Sequence, residues 1–133
     1  MCQKSVTWLS MNKESCLLYA GLSFRLEWYF DETGYSQPYE YFKELSDVQK
    51  RKFLLLVKKM GDFGKIYDTS KFRYEGDEIY AFKPQPNRFL CFFRKEKKII
   101  VTNAFYKKTD KLPLQKKQRA LIIKKKYEER EIN

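Results

Sequence analysis

Three short strand-like runs, Glu78 to Lys83, Arg88 to Arg94 and Lys98 to Phe105, follow one another with connections too short to hold a crossover, and this spacing limits the fold more than any other feature. Pro84-Gln85-Pro86-Asn87 supplies the first turn and Glu96-Lys97 the second, so the runs predict an antiparallel meander. A meander buries its apolar face only against further elements, and the sequence offers four. Ser23 to Asp31 alternates, with Phe24, Leu26, Trp28 and Phe30 on one face and Arg25, Glu27 and Tyr29 on the other, which predicts a half-buried strand. Pro38 can open a short helix carrying Tyr39, Phe42 and Leu45, because proline's missing N–H is not needed in a first turn. Ser46-Asp47-Val48-Gln49 reads as a capping box before Phe53, Leu56, Val57 and Met60 at amphipathic helical spacing, with Gly61 as the expected stop. Pro113 permits a last helix to about Glu131, in which Ala120, Ile123 and Tyr127 share one face.

The order strand, helix, helix, three strands, helix predicts an α+β fold. Its small antiparallel sheet combines the first strand with the C-terminal three-strand meander, and the two N-terminal helices and the C-terminal helix are expected on one side of that sheet. Residues 1–22 show no clear period and are read as an N-terminal extension; residues 23–133 are read as a single domain, since no linker divides them. The longest apolar run near the N-terminus, Cys16 to Phe24, is about half of a membrane span and is interrupted by Gly21 and Ser23, so neither an anchor nor a signal peptide is expected.

Charge is distributed unevenly. Residues 1–82 hold 12 basic and 12 acidic side chains, whereas residues 83–133 hold 16 and 5, so the whole net charge of +11 lies in the C-terminal part. A solvated basic helix face is the commoner cause of such a run, but here the excess also covers two strands and a loop, as a phosphate-binding surface requires. The chain contains no histidine, which removes Ser-His-Asp and Cys-His catalysis, histidine-ligated metals and the histidine pair common in RNA-cleaving enzymes. Cys2, Cys16 and Cys91 are odd in number and widely spaced, so no disulfide framework or zinc site is indicated, and a reducing cytoplasm fits.

Phosphate recognition needs cations held on rigid elements. Lys83 ends one strand and Arg88 begins the next across a short turn, while Lys107 and Lys108 follow the last strand. If the meander forms, its strand ends gather these four near one edge of the sheet as a cationic patch; the alternative is that all four are ordinary solubilising charges.

The segment Asn103-Ala104-Phe105-Tyr106-Lys107-Lys108-Thr109-Asp110-Lys111-Leu112-Pro113 resembles the strand-to-helix signature, Phe-x-Lys-Lys-Thr-x-x-x-Pro, of the HigB-like, phage-derived branch of the RelE/ParE toxin superfamily. Tyr80-Ala81-Phe82-Lys83 is similar to that family's Glu-Leu-Arg-like strand, Arg88 to Phe93 to its Arg-Val-x-Tyr-Phe-Phe-like strand, and Ala120 and Tyr127 stand where its last helix carries an alanine and a tyrosine. The sequence departs from the pattern at Ala81 and Lys83, which replace a glutamate and an arginine, and at Lys116, which replaces a glutamate. The resemblance covers residues 23–131.

What it implies is the toxin of a type II toxin-antitoxin system, a metal-independent endoribonuclease without cofactors that cuts messenger RNA on ribosomes and is neutralised by a helix-turn-helix antitoxin, with no membrane partner. The ribose 2′-hydroxyl would attack the adjacent phosphate, with Arg88 as the transition-state stabiliser and Lys83, Lys107 and Lys108 as candidates for base and leaving-group roles. Clustered like charges lower a lysine's pKa, so one of the three could act as base. Arg94, Lys124, Lys125, Lys126 and Tyr127 complete the expected RNA-binding set: the lysine run through sequence-independent attraction, and Tyr127 through stacking unless its helical face is core. Two other readings stay open, a non-catalytic toxin or binding protein on the same fold (of gyrase-poison type, or an inactive phage relic) and a plain basic nucleic-acid-binding domain.

Overall fold

In the computed structural model, which describes residues 16–132, the chain order is β1 (Leu17–Ala20), β2 (Arg25–Trp28), α1 (Gln37–Lys43), α2 (Asp47–Phe63), β3 (Phe72–Tyr74), β4 (Tyr80–Phe82), β5 (Asn87–Arg94), β6 (Lys98–Tyr106) and α3 (Leu114–Ile132). The strands form one sheet in the order β1-β2-β6-β5-β4-β3. The meander from β3 to β6 is antiparallel throughout, and the sheet is mixed because β2 runs parallel to β6, pairing Arg25 with Lys98 and Trp28 with Val101. Parallel neighbours need a long crossover, and α1 and α2 lie between β2 and the meander in the chain. Polar side chains start both helices: Ser36 Oγ accepts from the Tyr39 N–H at 3.3 Å and Ser46 Oγ from the Gln49 N–H at 3.2 Å.

The sheet is covered on both faces, which corrects the expectation of helices on one side. Against one face α1 and α2 pack Phe53, Val57 and Met60 onto Leu26, Trp28, Phe82, Phe89, Cys91, Ile99 and Val101. Phe53 stacks on Phe89 at 3.9 Å between ring centroids, and Trp28 meets Tyr39, Phe42 and Phe53 within 6.0 Å. On the other face Ala120, Ile123 and Tyr127 of α3 cover Ile79, Ala81, Leu90, Phe92 and Ile100. Central strand β5 therefore reads as a continuous apolar run instead of an alternating one.

A register shift in β6 decides what faces α3. Cys91 pairs with Val101 but Leu90 pairs with Asn103, so Thr102 is the extra residue of a bulge. Its Oγ1 lies 3.2 Å from the Leu90 carbonyl and 2.6 Å from Asn103 Oδ1. Before the bulge, Ile99 and Val101 face α1 and α2; beyond it, Ala104 takes that face while Phe105 turns towards α3. Beyond the end of β2, the Gln37 side chain takes over the pairing of β6: its Nε2 donates to the Ala104 carbonyl at 2.8 Å and its Oε1 accepts from the Ala104 N–H at 2.7 Å.

Further departures concern the ends of elements. Strand β1 falls inside the stretch read as extension, and β3 inside a stretch read as loop. Gly61 does not stop α2, which continues to Phe63 and ends at Gly64 in the left-handed conformation at φ 79°. Gly61 instead admits the β1–β2 turn. A Cβ on Gly21 would lie 2.3 Å from the Gly61 backbone, and the Gly61 carbonyl accepts from the N–H groups of Ser23 and Phe24 at 2.7 and 2.8 Å. Cys91 is a buried free thiol in the sheet; Cys2 lies outside the described residues.

Candidate functional site

Alternation along three strands builds the site. On the α3 side of the sheet, apolar residues give way to cations where α3 stops covering them: Ile79 and Ala81 lead to Lys83, Leu90 leads back to Arg88, and Phe105 leads to Lys107. The β4–β5 pairing of Phe82 with Phe89 sets Lys83 opposite Arg88, and Arg88 itself pairs with Phe105. Beyond the strand end the Lys107 N–H donates to the Pro86 carbonyl at 2.8 Å, carrying the pairing on to the loop that holds Lys107 and Lys108. The bulge at Thr102 places Lys107 on this side; with unbroken alternation it would follow Ile99 and Val101 to the opposite face.

All four expected site cations line one cavity of about 20 Å³, together with Glu75, Phe105 and the loop Thr109 to Pro113. Arg88 is the fixed member. It is 7% exposed, and its Nη1 donates to the Asn87 carbonyl at 3.0 Å and to Gln85 Oε1 at 3.3 Å, which orients the guanidinium from one side. Burial lowers its pKa, against the opposing pull of Glu75 and Asp110, and the group remains charged. Burial also lowers the pKa of Lys83, and the charges of Arg88, Arg73 and Lys107 add to the effect while Glu75 opposes it. Its Nζ donates to the Thr69 carbonyl at 3.1 Å. Lys107 Nζ pairs with Asp110 Oδ1 at 2.8 Å, and that hydrogen bond, before any other influence, holds the Asp110 carboxyl below its ordinary value. Lys108 stands exposed at the rim.

A second, open cleft of about 610 Å³ adjoins the cavity and shares Glu75 and the Thr109 to Pro113 loop with it; Arg73, Leu114 and Lys117 complete its walls. Lys117 Nζ pairs with Asp77 Oδ2 at 2.8 Å, tying the turn after β3 to the first turn of α3. Sequence reading missed Arg73, Glu75 and Asp110. Arg73 lies within β3 and Glu75 follows it, and the strand's three residues are too few to show a period, whereas Asp110 carried a usable signal three residues beyond Lys107. Among the described residues no group of three or more His, Cys, Asp or Glu could hold a metal ion.

The expected RNA-binding set does not join this cavity. Arg94 is at the opposite end of β5, roughly 20 Å from Arg88 at about 3.4 Å per residue, and its guanidinium pairs with Glu128 at 3.3 Å and with Glu131. Lys124 pairs with Glu128 at 2.8 Å and Glu78 at 3.2 Å, contacts that raise its pKa, the Glu128 hydrogen bond foremost. Tyr127 is core: it is 6% exposed, meets the Phe92 ring edge-on at 5.7 Å, and burial pushes its hydroxyl pKa well up. Lys125 and Lys126 are exposed on α3, apart from the cavity lining.

A mixed sheet clad by helices on both faces, with a cation-lined cavity at the ends of its late strands, defines a small α+β protein. The family model described as Phage derived protein Gp49-like (DUF891) matches residues 40–125. The chain belongs to that family, a RelE/ParE-like toxin family associated with toxin-antitoxin pairs. The matched segment contains every cavity and cleft residue named above. No curated protein matches the chain. Among the described residues no helix is long and apolar enough to cross a membrane.

Proposed function

We propose that this protein is the toxin of a type II toxin-antitoxin pair, of HigB type, that inhibits translation in the cytoplasm by cutting messenger RNA on the ribosome. The observation that carries the reading is the meeting of Lys83, Arg88, Lys107 and Lys108 around one cavity in a chain of a toxin family. Four cations around a space that admits little more than a water-sized group suit the oxygens of a single phosphate. In the proposed reaction neutral Lys83 takes the proton of a ribose 2′-hydroxyl, whose oxygen attacks the adjacent phosphorus. Arg88 holds the non-bridging oxygens as charge builds on them, and Lys107 or Lys108 gives a proton to the departing 5′-oxygen. The products are a 2′,3′-cyclic phosphate and a 5′-hydroxyl. The lowered pKa of Lys83 supports its choice as base, whereas Lys107, ion-paired with Asp110, is suited to the charged donor role. A helix-turn-helix antitoxin, as the family resemblance implies, would neutralise the toxin.

Regulated expression in bacteria tests the reading. The parent is expected to arrest growth and to create new 5′-hydroxyl ends inside translated transcripts. Arg88→Ala is expected to lower cleavage by about 10²- to 10³-fold, the usual cost of removing one fixed transition-state donor, with Arg88→Lys falling between. Full arrest by a folded Arg88→Ala variant sinks the role given to Arg88, and arrest without new transcript ends sinks cleavage itself.

A further inference from the structure

We propose that the open cleft beside the cationic cavity is a nucleobase pocket in which the Glu75 carboxylate selects guanine; this rests on the phosphate role given to the cavity above. Size separates the two spaces. The cavity of about 20 Å³ admits a phosphate oxygen and nothing larger, whereas the cleft of about 610 Å³ lies within the range of small-ligand sites. Because Glu75 and the Thr109 to Pro113 loop line both, the spaces adjoin, and a nucleotide whose phosphate reaches Arg88 can lay its base in the cleft. The walls suit a base, with Leu112 and Leu114 offering apolar surface and the Arg73 guanidinium a plane for stacking.

Glu75 supplies the selection. Its side chain is half-buried, it lines cavity and cleft together, and among the described residues its carboxylate makes no ion pair within 4.0 Å even though Arg73 lines the cleft and Lys83 and Arg88 line the cavity. An ionised carboxylate offers two acceptor oxygens side by side. Guanine presents two adjacent donors, N1–H and the N2 amino group, and matches that pair; adenine and cytosine present one amino group, and uracil one ring N–H. The carboxylate's negative charge also keeps the cleft from acting as a second phosphate site, so the backbone stays at Arg88 and the base at Glu75.

Binding of the four nucleoside 3′-monophosphates to the whole purified protein, followed by amide chemical shifts, tests this without requiring cleavage. The guanosine nucleotide is expected to bind the parent about tenfold or more tightly than the other three, as for a good bidentate base contact. Glu75→Gln, nearly isosteric, is expected to reduce that preference to about twofold or less while leaving the uridine nucleotide's affinity within about twofold, because a carboxamide offers one acceptor where the carboxylate offers two. Arg88→Ala should weaken all four alike. Equal binding of the four by the parent, or equal weakening of the four by Glu75→Gln, overturns the guanine pocket. A preference that survives while Arg88→Ala changes nothing overturns the phosphate assignment instead.

Discussion

Lys83 shows at the residue scale how position changes chemistry. Free lysine is protonated at neutral pH, but here burial and the neighbouring charges of Arg88 and Arg73 disfavour the ammonium form, so more of the neutral amine exists at any pH than a solvated lysine would hold. If Lys83 is the base, cleavage should rise with pH through an inflection below the ordinary value of 10.5 and level off above it. The pH–rate profile of single-turnover cleavage checks this. Lys83→Ala should abolish the inflection along with most of the rate, and an unchanged profile in that variant removes Lys83 from the base role. A phosphate bound at the site favours the charged lysine, so binding should take up protons on the alkaline side of that inflection.

At the scale of elements, β1 and β2 are held to α2 through a contact that only glycine permits. A Cβ on Gly21 would sit 2.3 Å from the Gly61 carbonyl carbon and oxygen, and a helix backbone cannot yield as a side chain can. Gly21→Ala must therefore push the β1–β2 turn off α2 and strain the bonds from Ser23 and Phe24 to the Gly61 carbonyl. The expected loss is about 1–3 kcal/mol, read as a lower midpoint in thermal or denaturant unfolding. The cationic cavity lies at the end of β4, β5 and β6, away from this turn, so nucleotide binding by the folded fraction should be unchanged; an unaltered midpoint would show that the turn does not rest on the helix. These elements also show what was legible in sequence. The meander, the capped helices and the Ala120, Ile123, Tyr127 stripe follow from local period and turn chemistry, which neighbours in the chain impose. Strands β1 and β3, with 4 and 3 residues, are too short for a period and form as the two edges of a sheet whose centre, β5 and β6, is already in place. Gly61 reads as a stop in sequence because glycine's commonest helical role is at the C-terminus, while its role here comes from a turn 40 residues away in the chain.

Over the whole molecule, the +11 charge divides into three uses. Part converges on the cavity, part is consumed in ion pairs, as at Arg94 and Lys124, and part, including Lys125 and Lys126, stays exposed on α3. The last group suits sequence-independent attraction to RNA. Neutralising Lys125 and Lys126 by Gln should reduce the slope of log affinity against log salt for single-stranded RNA by about 1 to 2, since each phosphate contact contributes roughly 0.7 to 0.9. Fluorescence anisotropy across a salt series measures this, and a slope equal to the parent's would deny these lysines contact with the backbone. Sequence alone determined the α+β class, the meander and which four cations stand at its strand ends, because alternation and turn residues act over a few positions. Tertiary structure decided that helices clad both faces, that Arg94, Lys124 and Tyr127 serve the scaffold, that Glu75 and Asp110 join the cations, and that a bulge at Thr102 turns Lys107 towards Arg88. The physical reason is register: one residue inserted in one strand reverses the face of everything beyond it, and nothing in the strand's own residues records which partner it will meet.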